Sequence, residues 1–276
     1  MTRYSNITAL VTGASKGLGE AYARELARRG ARLVLVARSG DALRRVADSV
    51  REEHGAEVTT EVADLAAPDG VSRLVAALDR RELAVDLLVN NAGAGAVGPF
   101  LGSAQDRHID SVELNIVALT RLSHALGGKM VARGSGGIIN VASTAAFQAM
   151  PYQATYAATK AYVLSFTEAL AEEFRGSGVR VMAAHPGATA TSFFEGTTAA
   201  MKPAFTDRPE AVAARTLDAF ARGAVNAYPG RTGLRAMTWA ARILPRTTAT
   251  RVSGRLNRAL GLDRAHDISA AAPGPS

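Results

Sequence analysis

Short runs rich in Val, Ile and Leu alternate along this chain with longer stretches of helical periodicity, and that alternation narrows the possible folds more than any other feature. Candidate strands fall at 7–12, 32–37, 57–63, 86–89, 137–142, 179–185 and, more weakly, 225–228. Amphipathic helical patterns lie between them at 17–29, 40–53, 69–81, 104–127, 152–176 and 208–222. Strands that each feed a helix build βαβ units, hence a parallel sheet with helices on both faces. The uninterrupted apolar run LVLVA at 33–37 fits a sheet covered on both sides. The expected fold class is α/β, a doubly wound parallel sheet of about seven strands. With 276 residues, 47% of them hydrophobic, the chain can bury the core of one large domain.

Several function classes drop out early. The chain has no cysteine, which removes disulfides, thiolate metal sites and a Cys nucleophile. Its five histidines (54, 108, 124, 185 and 266) show no metal-ligand spacing, so no metal site is expected, and His185 reads as the end of a buried strand. The opening MTRYSNITALVTG lacks the apolar run of a signal peptide, and no stretch approaches the ~18 apolar residues of a membrane span. The expected location is the cytoplasm. The net charge of +7 does not point to nucleic acid, because residues 1–230 hold 24 basic and 23 acidic side chains. The excess belongs to 231–262, with seven arginines and no acid. A solvated helical face is the plainest reading of that segment; contact with a membrane surface, an acidic partner or nucleic acid stays open as the alternative.

Directly after the first strand comes Thr12-Gly13-Ala14-Ser15-Lys16-Gly17-Leu18-Gly19, leading into a helix. Glycines at such a junction let the backbone turn tightly and approach a pyrophosphate, whose charge then sits at the positive end of the helix. The spacing is G-x-x-x-G-x-G, so the better-known G-x-G-x-x-G pattern is not met. The second strand ends Ala37-Arg38-Ser39, with no carboxylate before Asp41. An acid there would bind a ribose 2′-hydroxyl, whereas an arginine accommodates a 2′-phosphate. Arg38, with Lys16 in the loop, therefore points to NADP(H) as cofactor.

From here the chain resembles the short-chain dehydrogenase/reductase family. The resemblance runs over residues 7–230 and rests on ordered motifs: TGASKGLG at 12–19, Asp64 after the third strand, NNAG at 90–93, Asn115 in the next helix, Ser143 after the fifth strand, Tyr156-x-x-x-Lys160, and Pro186-Gly187 after the sixth. It implies a Rossmann-type domain over 1–230 acting as an oxidoreductase, which moves a hydride between NADP(H) and a ketone or secondary alcohol. Asn115, Ser143, Tyr156 and Lys160 would be the catalytic group. Tyr156 would be the general acid in reduction and the base in oxidation, Ser143 a donor to the substrate oxygen, and Asn115 the holder of a water linking Lys160 to solvent. A cation at i+4 on the same helix face favours phenolate, so Lys160 is expected to lower the pKa of Tyr156 while also binding the nicotinamide ribose. The cofactor would meet Gly13, Ser15, Lys16, Gly17, Leu18, Gly19, Arg38, Asp64, Leu65, Asn91, Ala92, Gly93, Tyr156, Lys160, Pro186, Gly187, Thr189 and Thr191. Asn90 and Asn91 are expected to bond between strands as well. The family's habit of pairing through its long helices, here 104–127 and 152–176, implies a homodimer or homotetramer.

Substrate selection in the family lies between the serine and the tyrosine and after the Pro-Gly pair. The first stretch offers Phe147, Met150, Pro151 and Tyr152; the second offers Phe193, Phe194, Met201 and Phe205. Ser143, Phe147, Met150, Tyr156, Phe193 and Phe194 are the expected substrate contacts. A wall of this kind suits an apolar molecule, and nothing in it is placed for a carboxylate or phosphate. Residues 231–262 should add two helices beyond the family core, the first ending at Pro245, and Asp263 to Ser276 reads as a disordered tail. A non-catalytic NADP(H)-binding sensor on the same fold is the competing reading, since fold does not dictate function.

Overall fold

The computed structural model describes residues 4–190, 197–199, 206–266 and 268. Seven parallel strands form one sheet in the order β3-β2-β1-β4-β5-β6-β7. They are β1 (Thr8–Thr12), β2 (Arg32–Ala37), β3 (Val58–Val62), β4 (Leu87–Asn90), β5 (Gly136–Val141), β6 (Val179–Ala184) and β7 (Asn226–Ala227). β1 is central, pairing Thr12 with Val36 on one side and Val11 with Val89 on the other. The chain reverses its direction of winding between β1 and β4, and such a switch point opens a crevice at the carboxyl ends of the strands.

Because strand side chains alternate, β1 and β2 each feed two cores. Ala9, Val11, Leu33 and Leu35 pack under α1 (Gly17–Arg28), α2 (Gly40–His54) and α7 (Pro209–Ala221), against Leu26, Leu43 and Leu217. Leu10, Val34 and Val36 face the other layer, meeting Leu74 of α3 (Gly70–Arg80) and Leu122 and Met130 of α5 (Leu119–Ala132). Tyr22 pins α1 to α7 through a 3.1 Å bond from its hydroxyl to Thr216 Oγ1. This is the expected fold, and each of the seven candidate strands overlaps an observed one, β4 ending one residue later and β5 starting one residue earlier than expected.

The helices differ from expectation in instructive ways. The stretch expected as one helix at 104–127 is α4 (Gln105–Val112), then a π-helical turn at Glu113–Ala118, then α5 running on to Ala132. The helix expected to start at 152 starts two residues later, as α6 (Ala154–Glu173), because Tyr152 sits at φ 68°. In the C-terminal segment, α8 (Thr232–Ile243) stops before Pro245, which opens α9 (Arg246–Ala259). The expectation of a free tail from Asp263 fails over its first residues. Leu262 and Ala265 are buried against Val97, and Thr198 N donates to His266 O while His266 N donates to Thr198 Oγ1. Residues 267 and 269–276 lie outside the described residues.

Candidate active site

The glycine loop shows why these positions carry no side chain. Gly13 and Gly17 turn at φ 66° and 61°, where a Cβ is strained. A Cβ on Gly19 would lie 2.1 Å from the Gly13 carbonyl oxygen, so the first turn of α1 is closed tightly onto the loop. The loop is held from the neighbouring strand: Thr12 Oγ1 accepts from the backbone N–H of both Asn91 and Ala92 at 2.9 Å, and Asn91 Nδ2 donates to Thr12 O at 3.0 Å. Asn90 works deeper, donating to Asn140 Oδ1 at 2.9 Å and to Ser123 Oγ at 3.1 Å. Both asparagines thus tie strands together.

The π-helical turn aims Asn115 inward, where it is only 1% exposed. Its Oδ1 accepts from Ala94 N at 2.9 Å, while Nδ2 donates to Ala94 O at 2.8 Å and Thr159 Oγ1 at 2.9 Å. One amide therefore locks the segment after NNAG to α6. The registry matters because Gly93 is wedged between Asn115 Oδ1 and Lys160 Nζ, which a Cβ there would meet at 3.2 and 3.4 Å.

Ser143 leaves β5 in extended conformation, and its oxygen accepts from Ala145 N at 3.1 Å. The same hydroxyl is hydrogen-bonded to the hydroxyl of Tyr156 on α6. Lys160, one turn on, donates to Val141 O at 2.8 Å and lies 5.7 Å from the centre of the Tyr156 ring. Tyr156 is partly buried and lines the cavity; burial pushes its phenol above the ordinary range, with the Ser143 bond pulling the other way. Burial brings the Lys160 amine down to about 8. The sequence argument had Lys160 lowering the pKa of Tyr156; in this site desolvation is the larger effect on both groups.

A single cavity of about 870 Å³ joins the glycine loop to Ser143, Tyr156 and Lys160. Its walls include Ser15, Lys16, Leu18, Arg38, Leu65, Asn91 to Gly93, Met150 and Pro186 to Thr189. A glycine cradle that a Cβ would fill, at a helix N-terminus with Lys16 and Arg38 alongside, fits a phosphate-bearing dinucleotide. Three expected contacts stand elsewhere. Asp64 is exposed and bonds Ala66 N at 3.1 Å, capping its own turn while its neighbours Ala63 and Leu65 face the cavity. Phe147 turns off the wall to pack its ring 5.0 Å from His185 and 5.9 Å from Tyr228. Asn115 lies behind the wall, bonded to Ala94. Thr191, Phe193, Phe194, Met201 and Phe205 lie outside the described residues.

The profile described as short chain dehydrogenase matches residues 7–202. The chain belongs to the short-chain dehydrogenase/reductase family. It is an oxidoreductase of a nicotinamide-using fold, and its similarity extends to particular relatives. It is 36% identical over 196 residues to the oxidoreductase UcpA of Escherichia coli strain K12, covering 71% of this chain and 74% of that one. It is 31% identical over 265 residues to the very-long-chain 3-oxoacyl-CoA reductase of Anas platyrhynchos, covering 91% of this chain and 80% of that one. Among solved structures, a short-chain dehydrogenase from Sphingobium yanoikuyae in complex with NADPH superposes with a TM-score of 0.77 at 33% identity, over 85% of this chain and 91% of that one.

Sequence reasoning missed part of this short-chain dehydrogenase's cavity. Gln148 and Gln153 line it from the loop that offered Met150, where only the apolar residues had been singled out. Leu244 after α8, Val252, Leu256 and Asn257 on α9, and Leu260 just past it also line the cavity. Asn257, 2% exposed, donates from Nδ2 to Pro151 O at 2.8 Å and so straps α9 to the loop before Tyr156. Helical periodicity of 246–259 was readable, and covering the substrate mouth was one of three places open to the segment, beside subunit assembly and a membrane surface; the contact with Pro151 is what selects it.

Proposed function

We propose that this oxidoreductase transfers a hydride between NADP(H) and an apolar ketone or secondary alcohol. The carrying observation is the Ser143–Tyr156–Lys160 cluster, set in the same cavity as the glycine loop. The glycine loop with Lys16 and Arg38 would hold NADP(H), which when bound would supply the hydride for the carbonyl carbon. Tyr156, a phenol protonated at neutral pH, gives its hydroxyl proton to the carbonyl oxygen as negative charge develops there. Ser143 donates a hydrogen bond to the same oxygen. Lys160 stabilises the resulting phenolate by its charge. In the alcohol-oxidising direction the same groups act in reverse. Any water relay through Asn115 uses its main chain, because its side-chain amide is committed to Ala94 and Thr159.

The preference for NADP(H) rests on Arg38, which lines the cavity and forms no ion pair among the described residues, and on Lys16 in the loop. A 2′-phosphate meeting the two in a partly solvated position gains about 2–4 kcal/mol, or ~30- to 1000-fold in kcat/KM. The test is NADPH and NADH oxidation with a panel of apolar ketones, for the wild type and an Ala37→Asp/Arg38→Ala variant. The variant should prefer NADH, the change falling mostly on the Michaelis constant of the cofactor. A wild type equally fast with both cofactors overturns the assignment. The apolar substrate class is supported by Met150, Leu244, Val252 and Leu256 on the wall opposite the glycine loop's end of the cavity. The Ser143–Tyr156 hydrogen bond, with Lys160 one turn away, supports catalysis over the sensor reading.

A further inference from the structure

We propose that α8 and α9 form a docking surface for an anionic lipid bilayer, on which the substrate end of the cavity opens. The helices leave large apolar side chains in solvent: Trp239 is 54% exposed, Ile243 79%, and Val252 and Leu256 53% each. Trp239 and Ile243 stand one turn apart on the same side of α8, and Val252 and Leu256 one turn apart on α9. Leu244, Val252 and Leu256 also line the cavity, so residues that are at once exposed and cavity-facing form its rim.

The segment that carries this rim bears charge of one sign. Residues 231–262 carry seven arginines and no acidic residue, while the rest of the chain is close to balanced. Arg246, Arg251 and Arg255 are exposed and form no ion pair among the described residues. On α9 the arginine stripe at 251, 255 and 258 runs beside the Val252–Leu256 pair, and the opposite side, at 249, 253 and 257, is buried. Exposed apolar residues flanked by unpaired cations match the two layers of an anionic interface, acyl chains below and headgroup phosphates at the surface. A second copy of this chain is a poorer occupant, because a symmetric contact would bring the arginines face to face. A nucleic acid would leave Ile243 and Val252 against a phosphate backbone. Docked in this way, the cavity would take apolar substrate from the bilayer, a consequence that rests on the proposed ketone chemistry; the docking itself does not.

Trp239 is the chain's one tryptophan, so intrinsic fluorescence reports on this surface directly. The full-length protein should sediment with vesicles of phosphatidylcholine containing phosphatidylglycerol and not with phosphatidylcholine alone, and its emission should shift to the blue on binding. Raising salt should release it. An Arg246→Glu/Arg251→Glu/Arg255→Glu variant should keep its melting temperature and lose on the order of 100-fold in vesicle affinity. Ile243→Asp should weaken binding with the arginines intact. Failure to sediment, equal binding to neutral vesicles, an unshifted emission on binding, or full binding by the triple variant would each overturn the proposal. A blue shift that grows with protein concentration in the absence of vesicles would assign the face to a second copy instead. Since no turnover is read, these outcomes are separate from success or failure of the proposed reaction.

Discussion

Lys160 pays for its position. It is 5% exposed, it donates to Val141 O, and burial alone brings its amine down to about 8. An unfolded lysine holds its proton to about 10.4. Below pH 8 the folded state therefore carries a desolvated charge that the unfolded chain carries in water, which disfavours folding; as pH rises from 8 towards 10.4 that penalty fades. Relative to Lys160→Met, the wild-type protein without cofactor should gain on the order of 2–3 kcal/mol of stability between pH 7 and pH 10. Denaturant melts of both proteins at the two pH values check this, and an unchanged difference would mean that the fold leaves the Lys160 amine as basic as it is in the unfolded chain. The same variant should lose both turnover and NADPH affinity, a pairing measured by titration alongside kinetics. Tyr156→Phe should separate them: turnover falling at least ~100-fold, with NADPH bound within a few-fold of wild type, since only the transferable proton is gone. Substantial ketone reduction by Tyr156→Phe would remove Tyr156 as the acid.

Elements, more than single residues, set the spacing of the cofactor end. Thr12 at the end of β1 is grasped by the backbone after β4, and Gly19 closes α1 onto Gly13. Gly19→Ala would press a methyl into the Gly13 carbonyl and the Asn91 amide, at 2.1 and 2.7 Å, with little room to yield. The expected cost is roughly 1–3 kcal/mol of stability together with at least a tenfold loss of NADPH affinity, measured by thermal melts and titration. Glycines at 13, 17 and 19 were legible in the sequence because a helix following a strand at a tight turn needs them. The π-helical turn was not legible. An extra residue per turn leaves the hydrophobic pattern of 104–127 nearly intact, and its signature is tertiary: the commitment of Asn115 to Ala94 and Thr159.

At the scale of the whole molecule, the cavity has two ends built from different parts of the chain. The first 190 residues supply the glycine loop and the Ser143–Tyr156–Lys160 cluster, and α8 and α9 close the other end. Asn257 is the tie between them through Pro151 O. Asn257→Leu should cost roughly 1–3 kcal/mol by leaving that carbonyl buried without its donor. It should raise the Michaelis constant for the ketone while the NADPH dissociation constant stays within a few-fold of wild type. Parallel loss of both affinities would mean that the two ends are not separable.

The sequence by itself determined the order of strands and helices, the parallel sheet and the glycine loop, because each follows from local periodicity or from a short spacing that backbone geometry demands; Ser143, Tyr156 and Lys160 were singled out by the resemblance of ordered motifs to a family, not by any local pattern. Tertiary structure alone decided what those residues experience. Tyr156 and Lys160 have the i, i+4 spacing that should favour phenolate, yet the packing around them makes desolvation the stronger influence on both. Phe147 and Asp64 had suitable chemistry at suitable positions, but a strand exit and a short turn pointed them away from the cavity. The placement of α9 over Pro151 is a contact between residues 106 apart in the chain. Burial and long-range contact depend on the whole set of packed elements, and no local pattern carries them.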